Sequence, residues 1–307
     1  MTGSPYSDLT RPPLREHDLR QALVTPGGVW TDVRVLTVTE STNADVASAA
    51  QAGAPDGLVV IAENQTAGRG RLGRRWEAPP RSALTFSVLL RPGVPAARLG
   101  WITLLAGVAV AESVGRVAVV DAVLKWPNDL LVRSALAGGA EQVEHSSRAP
   151  SERAQPVSGG QGAEYGKCGG ILAEALPDER VVVGIGLNVS QRADELPPVP
   201  APAFPPTSLA LAGAAMTDRD PLLRAMLRAL AAWFDRWRAA GGDPDASGVR
   251  AAYRERCLTI GSEVAVSLPG GDRVVGTAKD IDEEGRLVVA GPAGVRALAA
   301  GDVYHVR

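Results

Sequence analysis

The segment from Glu63 to Trp76 holds the densest set of chemically useful residues in the sequence. Glycines let a backbone approach a ligand closely, and arginines present planar, permanently charged forks that suit carboxylates and phosphates. An apolar run ends just before this segment, and a proline pair follows it. The segment predicts a loop that closes over a small anion, and its glycines and arginines are Gly68, Arg69, Gly70, Arg71, Gly73, Arg74 and Arg75.

The letters GRGRLG in this loop also match GxGxxG, the glycine fingerprint of dinucleotide-binding sites. That fingerprint opens a helix, and an acidic residue that binds a ribose follows about 20 residues later. Here two prolines follow within a few residues, so a helix cannot continue. Because no Asp or Glu lies between Glu77 and Glu112, the context also lacks the ribose ligand. We therefore reject a dinucleotide site.

Four further polar or glycine-rich clusters accompany the loop, and each alone has an ordinary structural explanation. These explanations are a helix N-cap, a turn at a strand end, a surface lysine and a tightly packed strand. Lys167 does not end a phosphate-binding P-loop, because Gln161 stands where the first glycine is required and Cys168 follows the lysine. The clusters are Glu40–Asn43, Lys125–Asp129, Gly166–Glu174 and Gly184–Val189.

Composition excludes several classes of protein. The chain has 307 residues, a net charge of −2 and 4% aromatic residues, which argues against nucleic-acid or membrane-surface binding through bulk charge. Two cysteines are too few for a disulfide scaffold and fit a reducing cytoplasm. The N-terminal segment has no apolar signal region, and the longest apolar run, Trp101–Ala111, is too short to span a bilayer. We expect a cytoplasmic protein.

Apolar periodicity predicts the elements that position these clusters. We expect strands at 33–38, 58–62, 83–90 and 117–125, a buried helix at 98–114, and a hairpin of 170–176 with 180–189. An Ala-rich helix follows Ser41, and an amphipathic helix covers 220–240. Five short strands after residue 258 predict a small barrel at 263–268, 273–281, 286–290, 294–298 and 303–306.

This pattern divides the chain into three parts. Residues 1–31 read as a polar N-terminal tail with one short helix, residues 32–256 as the catalytic domain, and residues 257–307 as a small C-terminal domain. Residues 134–165 are rich in Ala, Gly, Ser, Gln and Glu and have almost no large apolar side chains. We predict a disordered insertion there, because such a composition cannot offset the entropy cost of ordering.

Taken together and in this order, the motifs resemble those of biotin protein ligases. The matching motifs are Ser41-Thr-Asn43, Gln65, GRGRLGRRW from Gly68 to Trp76, KWPND from Lys125 to Asp129, GKCGGILAE from Gly166 to Glu174, and GIGLNV from Gly184 to Val189. The resemblance is close from about Val33 to Val189. It implies an α+β fold, in which helices flank a mixed sheet like that of class II aminoacyl-tRNA synthetases and an SH3-like β-barrel follows.

The resemblance also implies a two-step ligation. Biotin and ATP, with Mg²⁺, form biotinyl-5′-adenylate and pyrophosphate. The adenylate then acylates a lysine on the biotin carboxyl carrier domain of an acetyl-CoA or acyl-CoA carboxylase. Members that also repress transcription carry an N-terminal helix-turn-helix, for which the sequence before the first core strand has no room. We therefore expect neither specific DNA binding nor membrane association.

Residue by residue, the resemblance places biotin and the adenylate on particular side chains. Lys167 and Arg71 carry the catalytic role. The biotin-binding set is Ser41, Thr42, Asn43, Gln65, Gly68, Arg69, Gly70, Arg71 and Lys167. The ATP and adenylate set is Arg69, Arg71, Trp76, Asn128, Lys167 and Asn188. No residue pair identifies the metal ligands, with Asp129 only a candidate, and no general base for the acceptor lysine is evident.

Two alternatives stay open on the sequence. A lipoate–protein ligase has a related fold but would not be expected to carry GRGRxG followed by KWPND. A nucleic-acid-binding module could use the arginine loop beside a small barrel, although such modules are usually basic and rich in stacking aromatics.

Overall fold

A seven-stranded sheet forms the centre of the computed structural model, which describes residues 11–134 and 165–306. The strand order is β1-β2-β5-β9-β8-β7-β6, and only β1 and β2 run parallel. A two-stranded hairpin, β3 with β4, lies outside this sheet. The strands are β1 (Asp32–Leu36), β2 (Leu58–Ala62), β3 (Gly68–Arg69), β4 (Arg75–Trp76), β5 (Ala83–Leu90), β6 (Ala122–Lys125), β7 (Asp129–Arg133), β8 (Tyr165–Ala175) and β9 (Val181–Asn188).

In the described part of the chain, five α-helices pack on this sheet or beside it. The helices are α1 (Glu16–Leu23), α2 (Thr42–Gln51), α3 (Trp101–Val117), α4 (Arg219–Ala239) and α5 (Val249–Arg256). Helix α3 is buried on nearly every face and packs against β6, β7 and β8. Helix α4 is amphipathic and lies against α3, so the two helices enclose the main core with the sheet.

Helix α3 qualifies by length and composition as a membrane span. Together with the turn before it, Ala96–Val117 is long and apolar enough to cross a bilayer, which the shorter apolar run in the sequence did not suggest. In the fold, 67% of the most apolar window is buried against protein. The helix is therefore the core helix of a folded domain.

Residues 11–31 are packed, unlike the polar tail that the composition of the N-terminal segment predicts. Helix α1 turns Leu19 and Leu23 into the main core, and Trp30 joins them. Arg11 is buried with 8% of its surface exposed and donates hydrogen bonds to the Ser190 carbonyl. A few large side chains therefore anchor residues 11–31, although most of their neighbours are polar.

The C-terminal strands form a separate antiparallel sheet, ordered β13-β12-β11-β10-β14. Its strands are β10 (Glu263–Ser267), β11 (Arg273–Ile281), β12 (Leu287–Gly291), β13 (Gly294–Leu298) and β14 (Asp302–His305). The turn between β11 and β12 docks on the larger domain, because Trp101 and Trp126 donate indole hydrogen bonds to the carbonyls of Glu283 and Gly285. This docking fixes β14 beside the central sheet.

Most predicted elements lie within a few residues of their observed bounds, and the exceptions are one shortened strand and four elements that were not predicted. The strand predicted at 117–125 is shorter, since α3 runs through Val117 and β6 begins at Ala122. Strands β3, β4 and β7 and helix α5 were not predicted. The disordered insertion was predicted at 134–165, and residues 135–164 of it lie outside the described part of the chain.

Candidate active site

A cavity of about 280 Å³ brings the separate sequence motifs together. Of the residues that the resemblance placed in the site, all except Gly68 line it, and Gly68 lies just behind its wall. The C-terminal sheet supplies part of the wall through residues 301–305. The predicted residues at the cavity are Ser41, Thr42, Asn43, Gln65, Arg69, Gly70, Arg71, Trp76, Asn128, Lys167 and Asn188.

Two lysines and one carboxylate form the charged centre of the cavity. Lys167 Nζ lies 2.6 Å from Asp129 Oδ1, and Lys125 Nζ lies 3.5 Å from the other oxygen. Burial raises the pKa of Asp129, but the two ammonium groups outweigh it and hold the pKa below its ordinary value. Burial lowers the pKa of Lys125, and the charge on Lys167 adds to that effect. The cluster carries one net positive charge with Asp129 ionised and both lysines protonated.

Strand pairing places these three groups together. Lys125 and Asp129 face each other across the β6–β7 turn, which contains the cis peptide between Trp126 and Pro127. Lys167 lies inside β8 and pairs with Leu131 of β7, rather than at the start of a strand as its position in the sequence suggests. Neighbouring strands, and not sequence spacing, therefore set the distance between the lysines.

The arginine and glycine loop folds over the cavity as the β3–β4 hairpin. Leu72 and Gly73 at its tip have positive φ angles of 56° and 73°. Arg71 lies in reach of Asn128, with its Nη1 3.5 Å from the amide oxygen, and burial lowers the pKa of its guanidinium. Arg74 forms an ion pair with Asp302 of β14. The loop is thus fastened to both domains.

Two glycines leave space for neighbouring side chains of the wall, Gly186 for the Trp76 indole and Gly68 for the Gln65 amide. A Cβ on Gly186 would lie 2.5 Å from the Trp76 ring, and a Cβ on Gly68 would lie 2.5 Å from Gln65 Nε2. Both distances are far below van der Waals contact. The glycines of GRGRLG and GIGLNV therefore admit Trp76 and Gln65, a role that single motifs do not reveal.

The start of α2 forms a neutral, polar end of the cavity. Ser41 is the N-cap, and its hydroxyl accepts a long hydrogen bond, 3.5 Å, from the Ala44 amide. Gln65 Oε1 accepts from the Thr42 amide at 2.8 Å and lies 3.0 Å from the Thr42 hydroxyl oxygen. Asn43 donates to the carboxylate of Glu174 and accepts from Ser87, which sequence reasoning did not single out.

Two asparagines of the predicted adenylate set already have protein partners. Asn188 donates to the Thr207 carbonyl and accepts from Gln191, with both distances at 2.9 Å. Asn128 donates to the Ile171 carbonyl at 3.0 Å and accepts from Arg71. These amides therefore hold strands and loops at the rim of the cavity in this structure.

The C-terminal sheet adds residues that sequence reasoning missed, because nothing in Asp302–His305 distinguishes it from an ordinary strand. His305 packs edge-on against Phe204, with ring centroids 5.4 Å apart, and its Nε2 lies 3.4 Å from the Thr259 hydroxyl. Burial, with a smaller contribution from the charge of Lys125, lowers the pKa of His305 to about 4.

The described residues fit poorly as a protein-built metal site. They contain no group of three or more His, Cys, Asp or Glu side chains arranged to hold an ion. Asp129, the candidate from the sequence, has both oxygens in ion pairs with lysines. We therefore derive no step through Mg²⁺ held by the protein.

Comparison with known families and sequences gives consistent results. Residues 35–188 match the family described as Biotin/lipoate A/B protein ligase family, and residues 259–306 match Biotin protein ligase C terminal domain. The chain is 41% identical over 305 residues to the biotin–[acetyl-CoA-carboxylase] ligase of Mycobacterium tuberculosis, covering 98% of each. It is 28% identical to the bifunctional ligase/repressor BirA of Bacillus subtilis, covering 88% of this chain and 71% of that protein.

Solved structures show the same fold. The chain superposes on the biotin protein ligase from Aquifex aeolicus in complex with biotin and ATP, with a TM-score of 0.66. The match covers 91% of this chain and 100% of that chain at 23% sequence identity, so it bears on the fold alone.

Proposed function

The chain belongs to the biotin protein ligases of the biotin/lipoate A/B protein ligase family, and from this premise we propose how its residues perform the reaction. It is an ATP-dependent ligase that activates biotin as biotinyl-5′-AMP. It transfers the biotinyl group to a lysine of the biotin carboxyl carrier domain of acetyl-CoA carboxylase. The observation that carries the site assignment is a cavity in which a neutral polar end adjoins a cluster of lysines and arginines.

The polar end suits the ureido ring of biotin, and the cationic centre suits its carboxylate. Thr42 and Gln65 present oxygen atoms to the cavity, which match ring N–H groups. Lys167 and Arg71 lie where the valerate carboxylate would meet the α-phosphate of ATP. Trp76 supports the adenine side, because its ring forms part of the wall beside β9.

In the first step, a carboxylate oxygen of biotin attacks the α-phosphorus. A new O–P bond forms, the bond from that phosphorus to the bridging oxygen breaks, and pyrophosphate leaves. The two reactants are both anionic and repel each other, so fixed positive charge lowers the barrier. Lys167 and Arg71 supply that charge, while Asp129 holds the Lys167 ammonium in position and pairs through its other oxygen with Lys125.

In the second step, the acceptor lysine amine attacks the acyl carbon of the adenylate. An amide C–N bond forms, the acyl C–O bond breaks, and AMP leaves. The positive charges of Lys167 and Arg71 stabilise the phosphate of the departing AMP. The amine must lose a proton, and Asp129 is a poor base because two ammonium groups lower its pKa. We assign no protein base to this proton.

Finer features extend the same proposal. In the catalytic sheet β1 and β2 are parallel and every other neighbouring pair of strands is antiparallel, which supports a class II synthetase-like fold. The five C-terminal strands support an SH3-like barrel. We place the domain boundary near residue 257, where α5 ends and the chain returns toward β6. Mg²⁺ would enter with the triphosphate, and the protein would act in the cytoplasm.

One assay tests the function. The protein is incubated with biotin, ATP, Mg²⁺ and a biotin carboxyl carrier domain, and the carrier is blotted for biotin. We expect label on the native carrier and none on a carrier whose acceptor lysine is replaced by arginine. A second reaction with lipoate in place of biotin tests the alternative that the protein is a lipoate–protein ligase. Labelling with lipoate and not with biotin would contradict the proposal.

A further inference from the structure

Ser87 and Glu174 lie behind the polar end of the cavity, and neither lines it. Ser87 is fully buried on β5, and its hydroxyl oxygen lies 2.7 Å from Thr42 Oγ1 and 2.6 Å from Asn43 Oδ1. Asn43 Nδ2 donates to the Glu174 carboxylate and lies 3.5 Å from the Leu172 carbonyl. These contacts form one chain of hydrogen bonds that runs from Glu174 to the cavity wall.

The donors and acceptors in this chain of hydrogen bonds have a fixed direction, because the Glu174 carboxylate lies at its outer end. A carboxylate only accepts hydrogen bonds, so the NH₂ group of Asn43 must face Glu174. The amide oxygen of Asn43 then faces Ser87, and the single hydroxyl proton of Ser87 must point at that oxygen. Since Ser87 has used its proton, the contact with Thr42 requires the Thr42 hydroxyl to donate to Ser87.

This direction decides what Thr42 offers to a ligand. Its hydroxyl oxygen lies within reach of both Ser87 and Gln65 Oε1, at 2.7 Å and 3.0 Å, but it has one proton for the two. With the proton directed to Ser87, the oxygens of Thr42 and Gln65 face each other without a hydrogen between them. Two adjacent acceptors at the cavity wall require an N–H donor from the ligand.

The arrangement is held from the opposite side by Gly184. A Cβ at this position would overlap Asn43 Oδ1, so the glycine in β9 is what admits the amide oxygen. The Asn43 amide therefore lies between β9, Ser87 and Glu174 and cannot turn away without losing both partners.

We propose that Glu174 and Ser87 are positioning residues that set the direction of this hydrogen-bond chain, so that Thr42 and Gln65 present an acceptor pair to a ring N–H of the substrate. The proposal rests on the proposed function, since the ligand class it names is a cyclic urea such as that of biotin. Neither residue touches the substrate, and both act through Asn43 and Thr42.

Glu174 is exposed, so its polarity can be changed without disturbing the core. Glu174→Lys places a donor at the outer end, which turns the Asn43 amide, reverses the chain and directs the Thr42 proton into the gap beside Gln65. We expect a KM for biotin about tenfold higher, the size of one lost hydrogen bond, with kcat nearly unchanged. Glu174→Gln retains an acceptor oxygen and should stay near the wild type. Glu179→Lys makes the same charge change on the adjacent exposed turn and serves as the matched control.

The readout is biotin-dependent pyrophosphate release, measured with biotin and with its two isomers methylated at one ureido nitrogen. The wild type should discriminate against at least one methylated isomer, and Glu174→Lys should reduce that discrimination. Ser87→Ala, which sends the Thr42 proton to Gln65, should also raise KM more than kcat falls. A KM for Glu174→Lys equal to that of Glu179→Lys would overturn the inference alone. Wild-type protein that releases no pyrophosphate in response to biotin would overturn the proposed function and the inference with it.

Discussion

Lys167 serves both the chemistry and the charge balance of the site. We expect Lys167→Ala to abolish adenylate formation, because the variant lacks an ammonium that offsets the repulsion between the biotin carboxylate and the α-phosphate. The change also leaves Asp129 with the more distant Lys125, at 3.5 Å. Breaking a fully buried pair costs about 3–5 kcal/mol, and the one-third exposure of Lys167 should reduce that loss to about 1–2 kcal/mol.

A second variant separates the two roles of Lys167. Lys167→Ala combined with Asp129→Asn removes the uncompensated carboxylate, so unfolding in urea should return toward the wild-type midpoint. Biotin-dependent pyrophosphate release should stay absent. Near-normal release by folded Lys167→Ala protein would show that this lysine does not stabilise the reacting anions.

Gly186 and Gly170 face each other across β8 and β9 and offer a matched pair. A Cβ on Gly186 would lie 2.5 Å from the Trp76 ring, whereas the nearest atoms to a Cβ on Gly170 are 4.0 Å away. Gly186→Ala should displace the indole and raise the KM for ATP by about tenfold or more, and Gly170→Ala should leave it within about twofold. Equal effects of the two variants in steady-state kinetics would remove Trp76 from the nucleotide side.

The site residues that could be predicted are those inside compact motifs. Residues 41–43 and 68–76 keep their neighbours along the chain, so their place at the cavity follows from local sequence. Ser87 and Asp302 lie outside every motif, and Glu174 ends the motif GKCGGILAE without a role that the motif reveals. Each is a common polar residue in an ordinary strand, and only the pairing of distant strands places it near the ligand.

The β3–β4 hairpin is held over the cavity by a long hydrogen bond from Arg71 and an ion pair of Arg74. Its tip residues have positive φ, and its partners across the cavity are Asn128 and Asp302. We expect the hairpin to move when no anion is bound, because ordering its backbone costs about 1–2 kcal/mol per residue, its three glycines add to that cost, and its arginines repel each other. Biotinyl-adenylate would offset both costs and close the loop, which would shield the mixed anhydride from water.

Limited trypsin digestion measures this closure. Cleavage between Arg69 and Arg75 should be fast in the free protein and at least severalfold slower with biotin and ATP. Cleavage at other sites, followed in the same digest by mass spectrometry, is the internal control. Arg71→Ala should release adenylate and label bystander lysines. Equal loop cleavage with and without ligands would argue against ordering.

Secondary structure was predictable where the pattern is strong and local. Strands β2 and β5 are apolar throughout, and their predicted bounds are confirmed. Helix α5 was missed because Val249–Arg256 is mostly polar, and only Val249 and Tyr253 face the core as large apolar residues. Strand β7 was missed because it begins at Asp129, inside a motif that is typical of a turn.

Long-range polar contacts join parts of the molecule that the sequence does not connect. Arg219 at the start of α4 pairs with Glu63 at 2.7 Å, and both side chains are 5% exposed. Glu63 also accepts from the Leu14 amide, and Arg219 donates to the Pro12 carbonyl. The N-terminal segment, α4 and the start of the arginine loop therefore share one buried network, which explains why the segment is packed rather than a tail.

His305 offers a test of how firmly the C-terminal sheet is docked, because its low pKa depends on burial between β14 and the larger domain. The folded protein holds it neutral down to a pKa of about 4, whereas the ordinary value is near 6.5. Between these pH values the unfolded chain binds the proton first, so the free energy of unfolding falls as pH falls through this window and levels off below it.

We expect this histidine to contribute about 3 kcal/mol of that loss. His305→Gln cannot titrate, so its stability relative to the wild type should improve by this amount between pH 6.5 and pH 4. His17→Gln, at an exposed position on α1, is the control and should follow the wild type. Urea unfolding at several pH values gives the free energy of unfolding of all three proteins. The three proteins have the same acidic residues, so differences between their curves come from the histidines. Parallel curves for His305→Gln and the wild type would mean that His305 stays accessible to protons, and that the C-terminal sheet opens readily from the catalytic domain.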